Sequence, residues 1–292
     1  MIRRIIVMLV IAIASRAARA DGIAVGLFAP SSPFAGTAAR VEFANRLARA
    51  VGAAVGKPGI GRVYGKASDF ASAFKKGEVQ VAVVDATYLA AIGGGNVVAV
   101  GARSGDTSVG WVLVARGAAS VLELRGKTVL VPSVGGRESE FVRNALYGGE
   151  LAKDFFRAIE AAPDAASALT SLGLGKADAA VVPAGVSPPS GTQVIATFAP
   201  VSLPVVVVTG VDDATRAKIV AAVVAFEGDA AIGGFRAGGA DGVKALARRF
   251  APGERRGPMA LPDVRIGLGE LLAGRGFAIP RADLKTLIAP AE

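Results

Sequence analysis

The chain has 292 residues, 52% hydrophobic and 20% charged with only 6% aromatic, so it can bury a core and is not compositionally disordered. It contains no Cys and no His, which excludes disulfides, a disulfide-linked partner, Cys/His zinc sites, Ser-His-Asp triads and Cys-His dyads together. Lys and Arg number 33 against 24 Asp and Glu, but no basic run exceeds two residues and none is interleaved with aromatics, so nucleic acid is not an expected partner.

The first twenty residues read as an export signal. Arg3 and Arg4 precede the apolar run Ile5 to Ala14, and Ala18-Arg19-Ala20 supplies the small residues of a cleavage site, with cleavage expected after Ala20. The run is about half the roughly 20 apolar residues that a spanning helix needs. With no Cys at the cleavage point to carry a lipid, the expected product is a soluble exported protein, periplasmic or secreted. Without Arg3, Arg4, Arg16 and Arg19, 29 of the 33 basic residues remain against 24 acids, an excess that favours solubility and slightly favours anions.

From Asp21 short apolar runs alternate with Pro/Gly/Ser loops and amphipathic stretches, the pattern of parallel strands joined by helices. The pattern predicts a strand over Ile23 to Phe28, a helix over Ala35 to Val55, a short strand over Arg62 to Tyr64 and a helix over Asp69 to Lys76 capped by Ser68. Strands over Val79 to Val84 and Val97 to Gly101 follow, nearly continuous in apolar residues as when helices cover both sheet faces.

A second cycle predicts strands at Trp111 to Ala115, Thr128 to Val131 and Ala179 to Val182, with helices at Glu138 to Leu146 and Ala165 to Leu172. The segments Phe70 to Asp85 and Ala166 to Pro183 repeat one order, helix, glycine turn and Ala-Val-Val strand, which implies two similar lobes. Val194 to Thr197, Pro200 to Pro204 and Val205 to Thr209 are too long for one strand; a strand, bend and strand can return to the first lobe, and Gly101 to Ala115 is the candidate outward crossing. A helix over Asp213 to about Glu227 follows, and the tail from Pro252 reads as a loop with one or two short helices.

The phrase Phe74-Lys-Lys-Gly-Glu-Val-Gln-Val-Ala-Val-Val-Asp-Ala-Thr-Tyr88 and the segment Leu124-Arg-Gly-Lys-Thr-Val-Leu-Val-Pro-Ser133 before Gly135-Gly136 resemble the type II periplasmic solute-binding proteins of ABC importers, most of all the phosphate/phosphonate-binding (PhnD-like) branch. Gln80 stands where the family usually has Asp, and the family's serine-rich loop is reduced to Ser133-Val-Gly-Gly. The resemblance covers about residues 21 to 235. It implies an α/β fold of two lobes, each a mostly parallel sheet flanked by helices, joined by two hinge crossings. The expected divisions are a signal at 1–20, the first part of lobe 1 at 21–110, lobe 2 at 111–198, the return of lobe 1 at 199–252 and a tail at 253–292. The implied partners are a small-molecule ligand and the membrane permease of an importer, or a sensor; no cofactor or metal is implied.

In doubly wound sheets ligands lie beyond the carboxyl ends of the strands, so the loops after Phe28, Val84, Val131 and Val182 are the candidates. Ser31 and Ser32 either cap the next helix or contact ligand, and a capping Ser can do both. In the second loop Asp85 caps a helix or holds an amine, beside Thr87 and the flat phenol of Tyr88. Ser133, Gly135 and Gly136 let the backbone approach a ligand and offer free amides to carboxylate or phosphonate oxygens, with Arg137 adding charge, although two glycines can also serve a turn alone. Pro183-Ala-Gly185 is placed opposite Asp85, Trp111 at the lobe junction, and Arg103 in the cleft or in solvent.

The expected function is non-enzymatic: a receptor whose cleft closes on a small oxyanion or phosphonate-like ligand and is then recognised by a permease. A sensory partner is the alternative. An enzyme on the same scaffold is a third reading, in which Asp85, Glu138, Tyr88 or a Lys would carry acid/base work, and no carboxylate pair at telling spacing supports it.

Overall fold

The computed structural model describes residues 22–251, so the expected signal and the tail from 253 lie outside the described residues. In chain order the elements are β1 (Ile23–Phe28), α1 (Thr37–Val55), β2 (Gly59–Val63), α2 (Ala67–Lys75), β3 (Val81–Val84), α3 (Ala86–Ala91), β4 (Val97–Ala102) and β5 (Ser108–Arg116). A 3-10 turn (Val121–Leu124), β6 (Thr128–Pro132), a short α4 (Glu138–Glu140) running into a π-helical turn (Phe141–Leu146), β7 (Ala158–Ala162), α5 (Ala165–Gly173), β8 (Ala179–Pro183) and β9 (Thr192–Ser202) follow. The chain then runs through β10 (Val205–Val208), α6 (Asp213–Val224), β11 (Gly234–Ala237) and α7 (Ala240–Phe250).

These strands form two sheets, one per lobe: six strands in the order β11-β4-β10-β3-β1-β2, and five in the order β7-β6-β8-β5-β9. In the first, β1 is parallel to β2 and β3, while β10 and β11 are antiparallel to their neighbours. In the second, β6 is parallel to β7 and β8, and β5 runs against β8 and β9. Each sheet thus has most strands pointing one way, with β10 and β11 reversed in the first and β5 in the second.

Alternation of side chains across the pleat divides the core. Val81 and Val83 of β3, Val206 and Val208 of β10, and Ile23, Val25 and Leu27 of β1 pack on one face of the first sheet against Phe43, Leu47 and Val51 of α1. Ala82, Val84, Val205 and Val207 face the other way, into a core shared with Leu113, Val129, Val131 and Val181 of the second sheet. The remaining face of the second sheet takes Val114, Leu130, Ala180 and Val182 against Leu169 and Leu172 of α5. Each of the runs Val-Ala-Val-Val in β3 and Val-Val-Val-Val in β10 is buried on both sides, which is why it reads as continuous rather than alternating hydrophobicity. Helix α1 lies tight on β2: a Cβ at Gly59 would collide with the Ala48 carbonyl.

The two crossings are short and adjacent. Arg103 to Thr107 leads from β4 to β5, Leu203-Pro204 leads from β9 back to β10, and they are bonded to each other by Gly101 N–H to Pro204 O (2.7 Å) and Leu203 N–H to Thr107 O (2.9 Å). The outward crossing is therefore narrower than the Gly101 to Ala115 segment, most of which belongs to β5.

The sequence reading needs four corrections. Ser68 does not cap α2, which begins at Ala67 with Lys66 at the cap position; the Ser68 hydroxyl lies inside the first turn and donates to Asp69. The stretch Glu138 to Leu146 is a single α turn followed by a π turn, not one regular α-helix. β9 runs unbroken from Thr192 to Ser202 through Pro200, tolerable because it is an edge strand paired only with β5. β7, β11 and α7 had no counterpart in the pattern: both strands are sheet edges with little buried apolar surface, and α7 starts behind Gly238-Gly239, which reads as loop.

Candidate functional site

β1 and β3 are parallel neighbours whose carboxyl ends carry the loops with Ser31, Ser32 and Asp85. Asp85 occupies the residue before α3 but makes no cap bond; its side chain instead joins the loop after β3 to the loop after β1, where the Ser31 N–H donates to its Oδ2 at 2.7 Å. Its other oxygen, Oδ1, is buried without a partner, as are the Ser32 and Thr87 hydroxyl oxygens. These residues are 1%, 5% and 2% exposed. Burial pushes the Asp85 carboxyl up to about 7, against the downward pull of the Ser31 hydrogen bonds and the charge of Arg40. Neither Ser31 nor Ser32 caps α1, whose cap position is Gly36; Ser32 N–H closes a turn onto Ala29 O.

Ser31, Ser32 and Thr87 line a crevice completed by Arg103 of the outward crossing, Trp111 and Pro183 of the second sheet, and Ser202 and Leu203 of the return. Both lobes and both crossings therefore meet there. Arg103 makes no ion pair with any described residue, and Trp111 packs edge-on against Phe141 with ring centroids 4.9 Å apart. The crevice has a volume of about 10 Å³, room for roughly one water. A larger groove of about 610 Å³ lies beside it, with Ser32 on its rim and Phe34, Arg40, Leu169 and Pro189 along its walls.

The crevice is narrow because the lobes touch directly. Arg40 of the first pairs with Asp164 of the second at 2.7 Å, Ala165 N–H donates to Pro30 O at 3.0 Å, and Arg137 Nη1 donates to Ala91 O at 2.8 Å. Although burial pushes Asp164 up, hydrogen bonds from Ser167 and the Arg40 guanidinium hold it below the ordinary carboxylate value. Tyr88 rests on Gly135: a Cβ there would stand 2.8 Å from two ring carbons, and φ is +85°. Helix α7 reaches from the first lobe to the π turn, where Asn144 Nδ2 donates to Phe250 O at 3.0 Å, the Arg249 guanidinium donates to Ala145 O, and Phe250 stacks on Phe141.

The loop after β6 behaves differently from the sequence expectation. Ser133 N–H is bonded to Ala162 O, and the amides of Val134 and Gly136 both donate to Glu138 Oε1, at 3.0 and 3.1 Å. The Gly136 amide, read as free for a ligand, thus holds a carboxylate of the chain itself together with its neighbour Val134, and the Ser133 amide is likewise occupied. The structure gathers Ser31, Ser32 and Thr87 at one crevice and buries Asp85 behind its wall, bonded to Ser31; it places Tyr88, Gly135 and Arg137 in lobe-to-lobe contacts and Gly136 on Glu138. Sequence reasoning missed Arg40 and Asp164, 124 residues apart, for which no local signal exists. A signal for Glu138 was present: an acid just behind a Gly-Gly turn can reach back to the turn amides, as in a capping box.

Among the described residues no group of three or more metal-binding side chains occurs, and no helix is long and apolar enough to cross a membrane.

This arrangement of sheets and crossings recurs in solved structures. XAC2383 from Xanthomonas citri bound to ATP matches with a TM-score of 0.59 at 16% identity, over 78% of this chain and 96% of that one. The binding component of an ABC phosphonate transporter from Pseudomonas aeruginosa matches at 0.60 and 11%, over 79% and 88%. PhnD1 from Prochlorococcus marinus (MIT 9301) in complex with methylphosphonate matches at 0.61 and 9%, over 79% and 98%. The chain has the type II periplasmic-binding fold. No protein-family model and no curated sequence matches it. In the periplasmic-binding fold the crevice described above lies where the carboxyl ends of the strands of both lobes converge, and the two crossings form its hinge.

Proposed function

We propose that the protein is an exported solute-binding receptor that delivers a small ligand to an ABC-type importer by cleft closure. The observation that carries this reading is the crevice between two hinged lobes, lined by Ser32 and Thr87 whose hydroxyl oxygens are buried without partners among the described residues. Buried polar groups are normally satisfied, and groups left open at a hinge are the ones a ligand completes. The lobes touch in the described form, so ligand enters an opened form and stabilises closure by its differential affinity. The leader at 1–20 supplies export, and a permease recognises the closed lobes.

The oxyanion or phosphonate-like ligand expected from the sequence is favoured by the methylphosphonate complex of the Prochlorococcus neighbour. Against it, the amides of Val134 and Gly136 are already bonded to Glu138. The non-enzymatic reading is favoured by the absence of His and Cys from the sequence. A native mass spectrum of the mature protein purified from the periplasm of its own host tests the proposal. A solute released on mild unfolding supports it; protein that carries no solute and is bound by no permease overturns it.

A further inference from the structure

Resting on the receptor reading, we infer that the ligand is larger than a simple oxyanion. It is an amphipathic small molecule whose apolar body lies in the groove beside the crevice and whose accepting end, a carbonyl or carboxylate, meets Ser32 and Arg40. The first observation is how space is divided between the touching lobes. The crevice has room for about one water, whereas the groove measures about 610 Å³, within the roughly 300–1,000 Å³ usual for sites that hold small organic molecules. Both lobes build it, with Phe34 and Arg40 on one side and Leu169, Leu174, Val186 and Pro189 on the other. An occupant therefore touches both lobes, as a ligand that favours closure must. Ser32 lines the crevice and the groove alike, so one molecule can reach from one into the other.

The second observation is the chemistry of the walls. Among the described residues Arg40 is the only ionisable one that lines the groove, and its charge is already met by Asp164 at 2.7 Å. The walls are otherwise mostly apolar. Leu174 is 66% exposed, a large aliphatic side chain left in water at an inter-lobe groove, and covering it is favourable only for a ligand with an apolar surface of its own. A ligand the size of methylphosphonate would leave it wet. The polar handles are few: the Ser32 hydroxyl and the Arg40 Nε–H are buried without hydrogen-bond partners. A carbonyl or carboxylate oxygen has two lone pairs and no proton of its own to place, so it accepts from both. An ammonium group only donates, and would leave the Nε–H unpaired beside a like charge.

The test is isothermal titration of the full mature chain, stripped of solute by unfolding and refolding. The probes are butyrate, octanoate, octanamide, 4-phenylbutyrate, 1-octanol, octylamine, phosphate and methylphosphonate. Expected is saturable binding of octanoate, octanamide or 4-phenylbutyrate, at least about tenfold tighter than butyrate because the added carbons leave water. Leu174→Gln, at an exposed position, should weaken that binding without loss of stability in urea. Ser32→Ala removes a hydroxyl that has no partner in the protein, so its stability should be unchanged or raised while affinity falls about fivefold or more. Saturable binding of phosphate or methylphosphonate with none of the longer probes overturns the inference and leaves the receptor reading standing. Affinity that does not grow with chain length overturns it likewise, and preference for 1-octanol or octylamine overturns the accepting end. If no probe binds while the native mass spectrum finds a solute, the inference fails alone; if the mass spectrum is also empty, both fail.

Discussion

Replacing Asp85 by Asn tests the electrostatics of the buried carboxyl that holds Ser31 of the crevice wall, without reference to any ligand. The Asp85 carboxyl is raised from the usual 3.8 to about 7 by burial, so the folded protein holds this proton more tightly than the unfolded chain does between those values. Its contribution to stability is therefore fully present below pH 3.8 and is lost as pH rises through 7. Over the whole window the loss is about 4 kcal/mol, and between pH 5 and pH 8 it is about 3 kcal/mol. Asn keeps an oxygen for the Ser31 N–H but has no charge to desolvate, so the variant should lack this slope. Its NH2 group occupies the position now held by Oδ1, at a constant cost of about 1–3 kcal/mol if it finds no acceptor. Urea denaturation of both proteins at pH 5 and pH 8 reads the difference, because all other titrating groups cancel in the comparison. Parallel pH profiles would refute the assignment of a desolvated carboxylate at this position.

Gly135→Ala adds a Cβ against the Tyr88 ring at a residue with φ of +85° and should disfavour the closed lobes by about 2–3 kcal/mol; a reduced scattering radius equal to the wild type's would contradict the Tyr88 contact. Arg40→Ala breaks a lobe-to-lobe ion pair whose side chains are partly buried, and should cost about 2 kcal/mol, less at high salt, in chemical denaturation. Phe141→Ala removes a fully buried ring between Trp111 and Phe250 and should cost about 3–5 kcal/mol while shifting Trp111 emission to longer wavelength.

The sequence carried the strands that are buried on both faces. Ile23 to Phe28 and the Val-rich runs at 81–84 and 205–208 have few conformations that hide every side chain, and their apolar continuity reports this directly. Edge elements were not legible, because β7 and β11 bury little and their pairing is decided by neighbours remote in sequence. At the site, position along the chain was readable and orientation was not. Asp85 was placed correctly before a helix, yet its side chain reaches Ser31, 54 residues away, rather than the helix amides. Ser133 to Gly136 reads as a cleft loop with free amides, but the Ser133 amide is bonded to Ala162 O and those of Val134 and Gly136 to Glu138, which local spacing permits and only the backbone conformation decides.

The claim on which the receptor reading depends is that the lobes move about the two crossings and are held together by a solute. Because the sequence has no cysteine, Ile60→Cys in the first lobe and Leu122→Cys in the second, both exposed, can be spin-labelled cleanly and their separation measured by pulsed electron paramagnetic resonance. The expected result is a long distance in protein stripped of solute and a single shorter one when the solute extracted from the native protein is returned. One unchanged distance distribution in both states would contradict it.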